Sequence, residues 1–224
     1  MRALACLALV ACGGSPAAPP APPAPPDHAH HAMHHRFEHA DEWAPRFDDP
    51  KRDAWQQPDR VVAALALAPG MVIADIGAGT GYFEKRLSEA VGDRGAVIAV
   101  DIEPDMVRYL RERAHREHTP NVEAHLGAPD DPKLAPGSVD RILIVDTWHH
   151  IEDRVAYAKK LGAALKPGGA IFVVDFTLET EKGPPKQHRF APAQVIDELT
   201  QAGLTASLVE VTLPDQYIVR AQQP

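Results

Sequence analysis

Cysteine is almost absent from this chain: among 224 residues only Cys6 and Cys12 carry a thiol, and both fall within the first dozen positions. From Gly13 onward there is no material for a disulfide, a thiolate zinc site or a cysteine nucleophile, so redox and cysteine mechanisms are excluded there. A basic block is missing too. The 23 Lys and Arg stand against 31 Asp and Glu, a formal net charge of -8. Binding a phosphate backbone needs clustered cations that release counterions, so nucleic acid is not an expected partner. The apolar run at the start, Ala3 to Val10, is too short to span a bilayer. What remains is enough chain for one sizeable core with appendages.

The opening "MRALACLALVACGGS" has one Arg, that apolar run, and small residues before Cys12. This is the layout of an export signal over residues 1–11. "LVAC" resembles the lipobox of bacterial lipoproteins, which implies that Cys12 is the lipidated first residue of the mature chain. Gly13 follows instead of an acidic residue, which in that resemblance points to the outer membrane. The alternative is a short apolar N-terminus on a cytoplasmic protein.

Residues 12–40 hold that cysteine, a Pro- and Ala-rich tether from Ser15 to Pro26, and a His-rich arm. The tether favours extended polyproline II and spans roughly 35 Å at about 3.1 Å per residue. His28, His30, His31, His34, His35 and His39 are dense enough to bind a divalent metal, but their spacing is irregular and no Cys joins them. They read as a solvated tail, with metal handling as the alternative, and no metal site is assigned. Residues 41–69 carry an amphipathic pattern anchored by Trp43, Phe47, Trp55, Val61, Val62 and Leu65, expected to form a helical lid on the domain 41–224.

The domain alternates strand and helix. Short runs rich in Val and Ile at 71–77, 96–102, 122–127, 141–147 and 170–176 read as buried parallel strands, separated by helical stretches. The predicted fold is α/β, a doubly wound, mostly parallel sheet. The tail "LTASLVEVTL", a turn at Pro214 and Asp215, and "QYIVRAQ" form a hairpin, so the last strand should enter antiparallel.

In such sheets ligands bind outside the carboxyl ends of the strands. The first strand ends in Asp75 and a turn whose glycines are Gly77, Gly79 and Gly81, with Tyr82 where a dinucleotide fingerprint places its third glycine. That spacing disfavours NAD. Asp101 ends the second strand, 20 residues past Gly81, where a carboxylate accepts two hydrogen bonds from a ribose diol. A nucleoside ligand is implied.

"ADIGAGTG", "VDIEPDM", "GSVDRILIVDTWHHIED" and "LKPGGAIFVVDF", in that order, resemble the motifs of class I S-adenosylmethionine-dependent methyltransferases from about Pro58 to Arg220. The resemblance implies a seven-stranded Rossmann-like methyltransferase fold and S-adenosyl-L-methionine as cofactor. It places Gly77, Gly79 and Gly81 under the methionine part, with Asp75 nearby. Asp101 would hold the ribose, Ile102 would pack on adenine, and Asp146 would border the sulfonium. Where many relatives carry an acid for the adenine amine, this chain has Ala128; Asp130 is assigned that role, with Asp131 as the alternative.

His149 and His150, in "DTWHHIED", are the candidate general bases for an acceptor that loses a proton. The competing reading is structural, a helix cap or a bond to a backbone carbonyl. Trp148 either lines the acceptor pocket or fixes the loop. Together these features predict a methyltransferase in the cell envelope, held to the membrane by its lipid alone, acting on a small-molecule or lipid-like acceptor. The rivals are a non-catalytic nucleoside-binding lipoprotein and a metal-handling one. Arsenite methylation is disfavoured because the domain lacks cysteine.

Overall fold

A computed structural model describes residues 37–224. The expectations for residues 1–11, Cys12, the tether and the histidines from His28 to His35 lie outside the described residues.

Seven strands form one sheet in the order β3-β2-β1-β4-β5-β7-β6. They are β1 (Val72–Ile76), β2 (Ala96–Asp101), β3 (Val122–Leu126), β4 (Val139–Val145), β5 (Leu165–Phe176), β6 (Thr205–Leu208) and β7 (Gln216–Gln222). The first five pair in parallel, while β7 pairs antiparallel with both β5 and β6. The fold class and the antiparallel entry of the last strand are therefore as the sequence predicts.

The sheet is buried on both faces because its strands are apolar at consecutive positions, not alternate ones. Ile142, Ile144, Ile171 and Val173 point into one core with Trp148 and Leu161. Their neighbours Leu143, Val145, Phe172 and Val174 point into the other, with Leu87 and Leu110. The covering helices are α4 (Glu84–Val91), α5 (Pro104–Arg116), α6 (Arg154–Ala164) and α7 (Pro192–Gln201). Pro at the first position of α5 and α7 sets the helical φ where no backbone donor is needed. The Asp153 carboxylate caps α6 by accepting from the Ala156 amide at 2.9 Å.

Boundaries shift where local chemistry outweighs hydrophobic pattern. β4 stops at Val145, not at 147, because Asp146 adopts φ 52°, a left-handed conformation that turns the chain out of the sheet. β5 starts five residues early, at Leu165, where Val139 pairs with it across an irregularity in the register. The amphipathic stretch 41–69 is not one helix but three: α1 (Ala40–Phe47), α2 (Arg52–Gln56) and α3 (Pro58–Ala64). Gln57, in the left-handed conformation at φ 50°, ends α2 as its C-cap, and Pro58 then opens α3 at its first position.

Trp148 is fully buried, and its indole Nε1 donates to Glu198 Oε2 at 2.8 Å. Arg154 Nε donates to both oxygens of Glu198 at 3.0 Å, while its guanidinium lies 4.1 Å from the Phe190 ring centroid. This cluster fastens the segment after β4 to α7, which settles Trp148 as the residue that fixes the loop. A buried carboxylate stripped of its cation is costly. Arg154→Met is therefore expected to lower unfolding stability by about 3 kcal/mol in denaturant titration; a loss too small to measure would show that the ion pair contributes nothing net.

Candidate cofactor and active site

The strand order reverses between β1 and β4, so the segments leaving these two strands diverge and open a crevice. The glycine turn fills its floor. Gly77 and Ala78 both donate to the Val100 carbonyl, at 2.8 and 3.1 Å. Gly77, Gly79 and Gly81 have φ of 76°, 58° and 91°, conformations that favour glycine. A Cβ on Gly77 would lie 2.3 Å from Thr147 Oγ1, so the turn is packed tightly against the segment after β4.

Asp101 ties the turn to the second strand. One carboxylate oxygen accepts from the Gly79 amide and the other from the Glu103 amide, each at 2.9 Å. Both oxygens keep lone pairs for a further donor. Burial pushes the Asp101 carboxyl up, against the amides of Glu103 and Gly79, which pull it down. Ile102 is 48% exposed and Leu126, at the end of the adjoining β3, is 43% exposed. Asp101 and Leu126 are partners in the β2–β3 register and Ile102 follows Asp101, so two exposed apolar residues neighbour Asp101, one along the chain and one across the sheet. Sequence reading found Ile102 but not Leu126, whose signal appears only once the strands are paired.

Asp130 is placed differently. Its side chain is 86% exposed and lies 3.7 Å from Lys160 Nζ, in a turn closed by the bridge between Ala128 and Asp131. Asp131 is about half exposed, 3.5 Å from Lys160, and caps the Lys133 amide at 2.7 Å. The structure gives each of these two acids a lysine partner.

Asp75 and Asp146 lie at the ends of β1 and β4. Burial raises the Asp75 carboxyl to about 7, opposed by Glu84 and by the Arg52 charge. Burial likewise raises Asp146 to about 7, again opposed by Arg52. Arg52 donates to Asp146 Oδ2 at 3.4 Å and to the Phe47 carbonyl at 3.0 Å, and its guanidinium lies 4.1 Å from the Tyr82 ring centroid. Gln216 donates to Asp146 and accepts from Gln56, which ties α2 to β7 across the crevice. Asp48 accepts from Thr80 at 3.0 Å and from Arg113 at 2.8 Å. α1 and α2 thus sit over the glycine turn, with the Phe47 ring 3.7 Å from a Cβ built on Gly79.

His149 and His150 occupy a single 3₁₀ turn, Trp148–His150, with ring centroids 4.3 Å apart. They differ in setting. His149 is buried, and its Nδ1 faces both oxygens of Asp175, at 3.0 and 3.1 Å. His150 is half-buried and meets the Phe37 ring edge-on at 5.7 Å. Asp175, the penultimate residue of β5, is the partner that sequence reading missed; "VVDF" gives it no signal until β5 is set beside β4. Burial alone would lower the His149 pKa, but the charge and hydrogen bond of Asp175, with Asp146 beyond, outweigh it and raise it.

Residues 73–169 match the family model described as "Methyltransferase domain". A SAM dependent methyltransferase from Aquifex aeolicus superposes with a TM-score of 0.76 at 28% identity, covering 80% of this chain and 96% of that one. The architecture is the Rossmann-like methyltransferase fold. Two curated methyltransferases also match part of the chain. The ubiquinone/menaquinone biosynthesis C-methyltransferase UbiE of Shewanella frigidimarina is 29% identical over 117 residues, 52% of this chain and 47% of that protein. The ubiquinone biosynthesis O-methyltransferase of Xanthomonas campestris pv. campestris is 33% identical over 117 residues, 51% of this chain and 46% of that protein. The chain spans about half the length of these curated relatives.

In this methyltransferase fold, the pairing of His149 with Asp175 has a pH signature. The folded pKa of His149 is raised, so its stabilisation is fully present below the unfolded value near 6.5 and lost as pH rises through the folded value. Asp175→Asn removes the charge that raises it. The His149 imidazole is then expected to titrate at lower pH in NMR, and an unchanged midpoint would refute the pairing.

Proposed function

We propose that this chain is an S-adenosylmethionine-dependent methyltransferase acting on a small or lipid-like, largely apolar acceptor. The observation that carries the reading is Asp101, a buried carboxylate fixed by the Gly79 and Glu103 amides, with the exposed apolar residues Ile102 and Leu126 as its neighbours along the chain and across the sheet. That combination suits a ribose diol with a purine next to it. The acids Asp75 and Asp146 suit the positively charged methionine end. Tyr82, in place of a third dinucleotide glycine, speaks against NAD.

When bound, S-adenosylmethionine supplies an electrophilic methyl group on sulfur. The chain's part is to hold donor and acceptor in line and to shut out water, the main requirement of such a displacement. α1 and α2, tied down through Arg52, Gln56 and the Asp48 that caps α1, supply the cover. Phe37, Trp43 and Phe47 make an aromatic cluster on that cover, with Phe37 against His150. This cluster supports an apolar acceptor, as does the chain's similarity to enzymes of ubiquinone and menaquinone biosynthesis. If the acceptor carries a proton, His149 oriented by Asp175, or the more accessible His150, is placed to receive it.

Calorimetry with the purified chain tests the cofactor. S-adenosylhomocysteine is expected to bind and NAD not to. Asp101→Ala removes charge-assisted hydrogen bonds and is expected to weaken S-adenosylhomocysteine at least tenfold, roughly the effect of one such bond. NAD binding with no sulfur nucleoside bound would overturn the reading.

We also propose, from "LVAC" and the Pro- and Ala-rich tether, that the mature chain starts at a lipidated Cys12 in the cell envelope. Labelled palmitate is expected in the wild type and not in Cys12→Ser. A soluble, unlabelled wild type that retains residues 1–11 would refute it.

A further inference from the structure

The two oxygens of Asp146 are reached by two routes, and both lead to α2. Arg52 Nη2 donates to Oδ2 at 3.4 Å, while the Gln216 amide donates to Oδ1. The Gln216 carbonyl accepts from the Gln56 amide, and the Gln56 carbonyl accepts from Arg52 Nε and Nη2 at 3.2 and 3.0 Å. Four side chains thus close a ring that joins the cover to the end of β4 and to β7. Gln56 and Gln216 are buried, and a carboxylate only accepts while a guanidinium only donates, so this one charge pair fixes which way both amides point.

The ring is fastened at its weakest place. The hydrogen bonds of Arg52 to the Phe47 carbonyl and to Gln56 stay within the cover itself. Beyond the cover, the guanidinium reaches Asp146 and the face of the Tyr82 ring. The contact with Asp146 is long beside the roughly 2.7–2.9 Å usual for a charged pair. α2 has five residues, of which Gln56 is the buried one, so little apolar burial holds it down.

We propose that Arg52 is the residue by which this site distinguishes a positively charged nucleoside from its neutral counterpart: a cation against Asp146 opens the ring and loosens α2, and a neutral sulfur lets the ring close. This rests on the methyltransferase reading, in which Asp146 borders the sulfonium. Two cations against one partly buried carboxylate repel each other where screening is weak, and Arg52, on its short helix, is the one free to withdraw. Methyl transfer reverses the balance. The acceptor atom bonds to the methyl carbon, the carbon–sulfur bond breaks with its electron pair left on sulfur, and an acceptor proton, where there is one, passes to a base or to solvent. Sulfur is then a neutral thioether, and Arg52 regains Asp146. The cover is loosest while a charged donor awaits its acceptor and is fastened again once the charge is gone.

Three probes test this at about pH 8, where Asp146, raised to about 7 by burial, is ionised. They are S-adenosylmethionine without an acceptor, neutral S-adenosylhomocysteine, and sinefungin, which carries an ammonium in place of the methylated sulfur. Hydrogen exchange of the segment 47–57 in the wild type is expected to be faster with the two cations than with S-adenosylhomocysteine. In calorimetry, Arg52→Met is expected to raise the affinity for both cations relative to S-adenosylhomocysteine by about fivefold or more, because they no longer displace a guanidinium. Arg52→Lys keeps the charge and should shift that ratio less.

A merely structural Arg52 would change all three affinities together and leave their ratios alone. Equal exchange of 47–57 in the three wild-type complexes overturns the proposal without needing a variant. Sinefungin behaving like S-adenosylhomocysteine also overturns it, since the bulk of the methyl group and not charge would then move the cover. In either case the nucleoside site stands. If none of the three binds, the methyltransferase reading falls and this inference with it.

Discussion

The structure is organised around negative charge kept out of water. Asp75, Glu84, Asp101 and Asp175 are buried at the carboxyl edge of one sheet, and Asp146 is largely buried beside them. Desolvation makes each an expensive carboxylate. Each is relieved in its own way: Asp101 by two backbone amides, Asp175 by His149, and Asp146 by Arg52 and Gln216. Asp75 and Glu84 have the least relief. A site of this character favours a ligand with cationic groups at one end and a diol at the other.

The cover is part of the same electrostatics. Arg52 sits on a five-residue helix with little core of its own, yet it reaches Asp146 and lies over Tyr82. Tyr82 in turn donates to Asp53 on the same helix. These contacts hold α2 over the crevice by charge more than by apolar burial. Such a contact is stronger in a partly buried setting than on an open surface. A cationic ligand at Asp75 and Asp146 would compete with Arg52 for them, so cover position and ligand charge are linked.

The acids and histidines also divide the site by task. Asp101, Ile102 and Leu126 gather on the β2–β3 side, where a nucleoside fits. Asp146, His149, His150 and Asp175 gather on the β4–β5 side, the part of the site to which the proposed function assigns the acceptor. The glycine turn and Asp75 lie between them on β1, the central strand of the parallel set.

Much of this was legible in the sequence, and the reason is local. Consecutive Val and Ile name buried parallel strands; glycines with positive φ and an acid behind the next strand name a ligand turn. Both signals are carried by residues close in the chain, so Gly77, Gly79, Gly81 and Asp101 could be singled out without coordinates, whereas Asp146 was named through the family resemblance. What only tertiary structure decided are pairings between residues far apart: Asp175 with His149, Leu126 with Asp101 through the β2–β3 register, Glu198 with Trp148, and Arg52 with Asp146. Glu84, by contrast, carries no signal of its own in the sequence beyond a place in a helical stretch. Its burial against Gly81, and the absence of a partner, depend on how α4 packs under the turn, and a string of residues carries no record of desolvation.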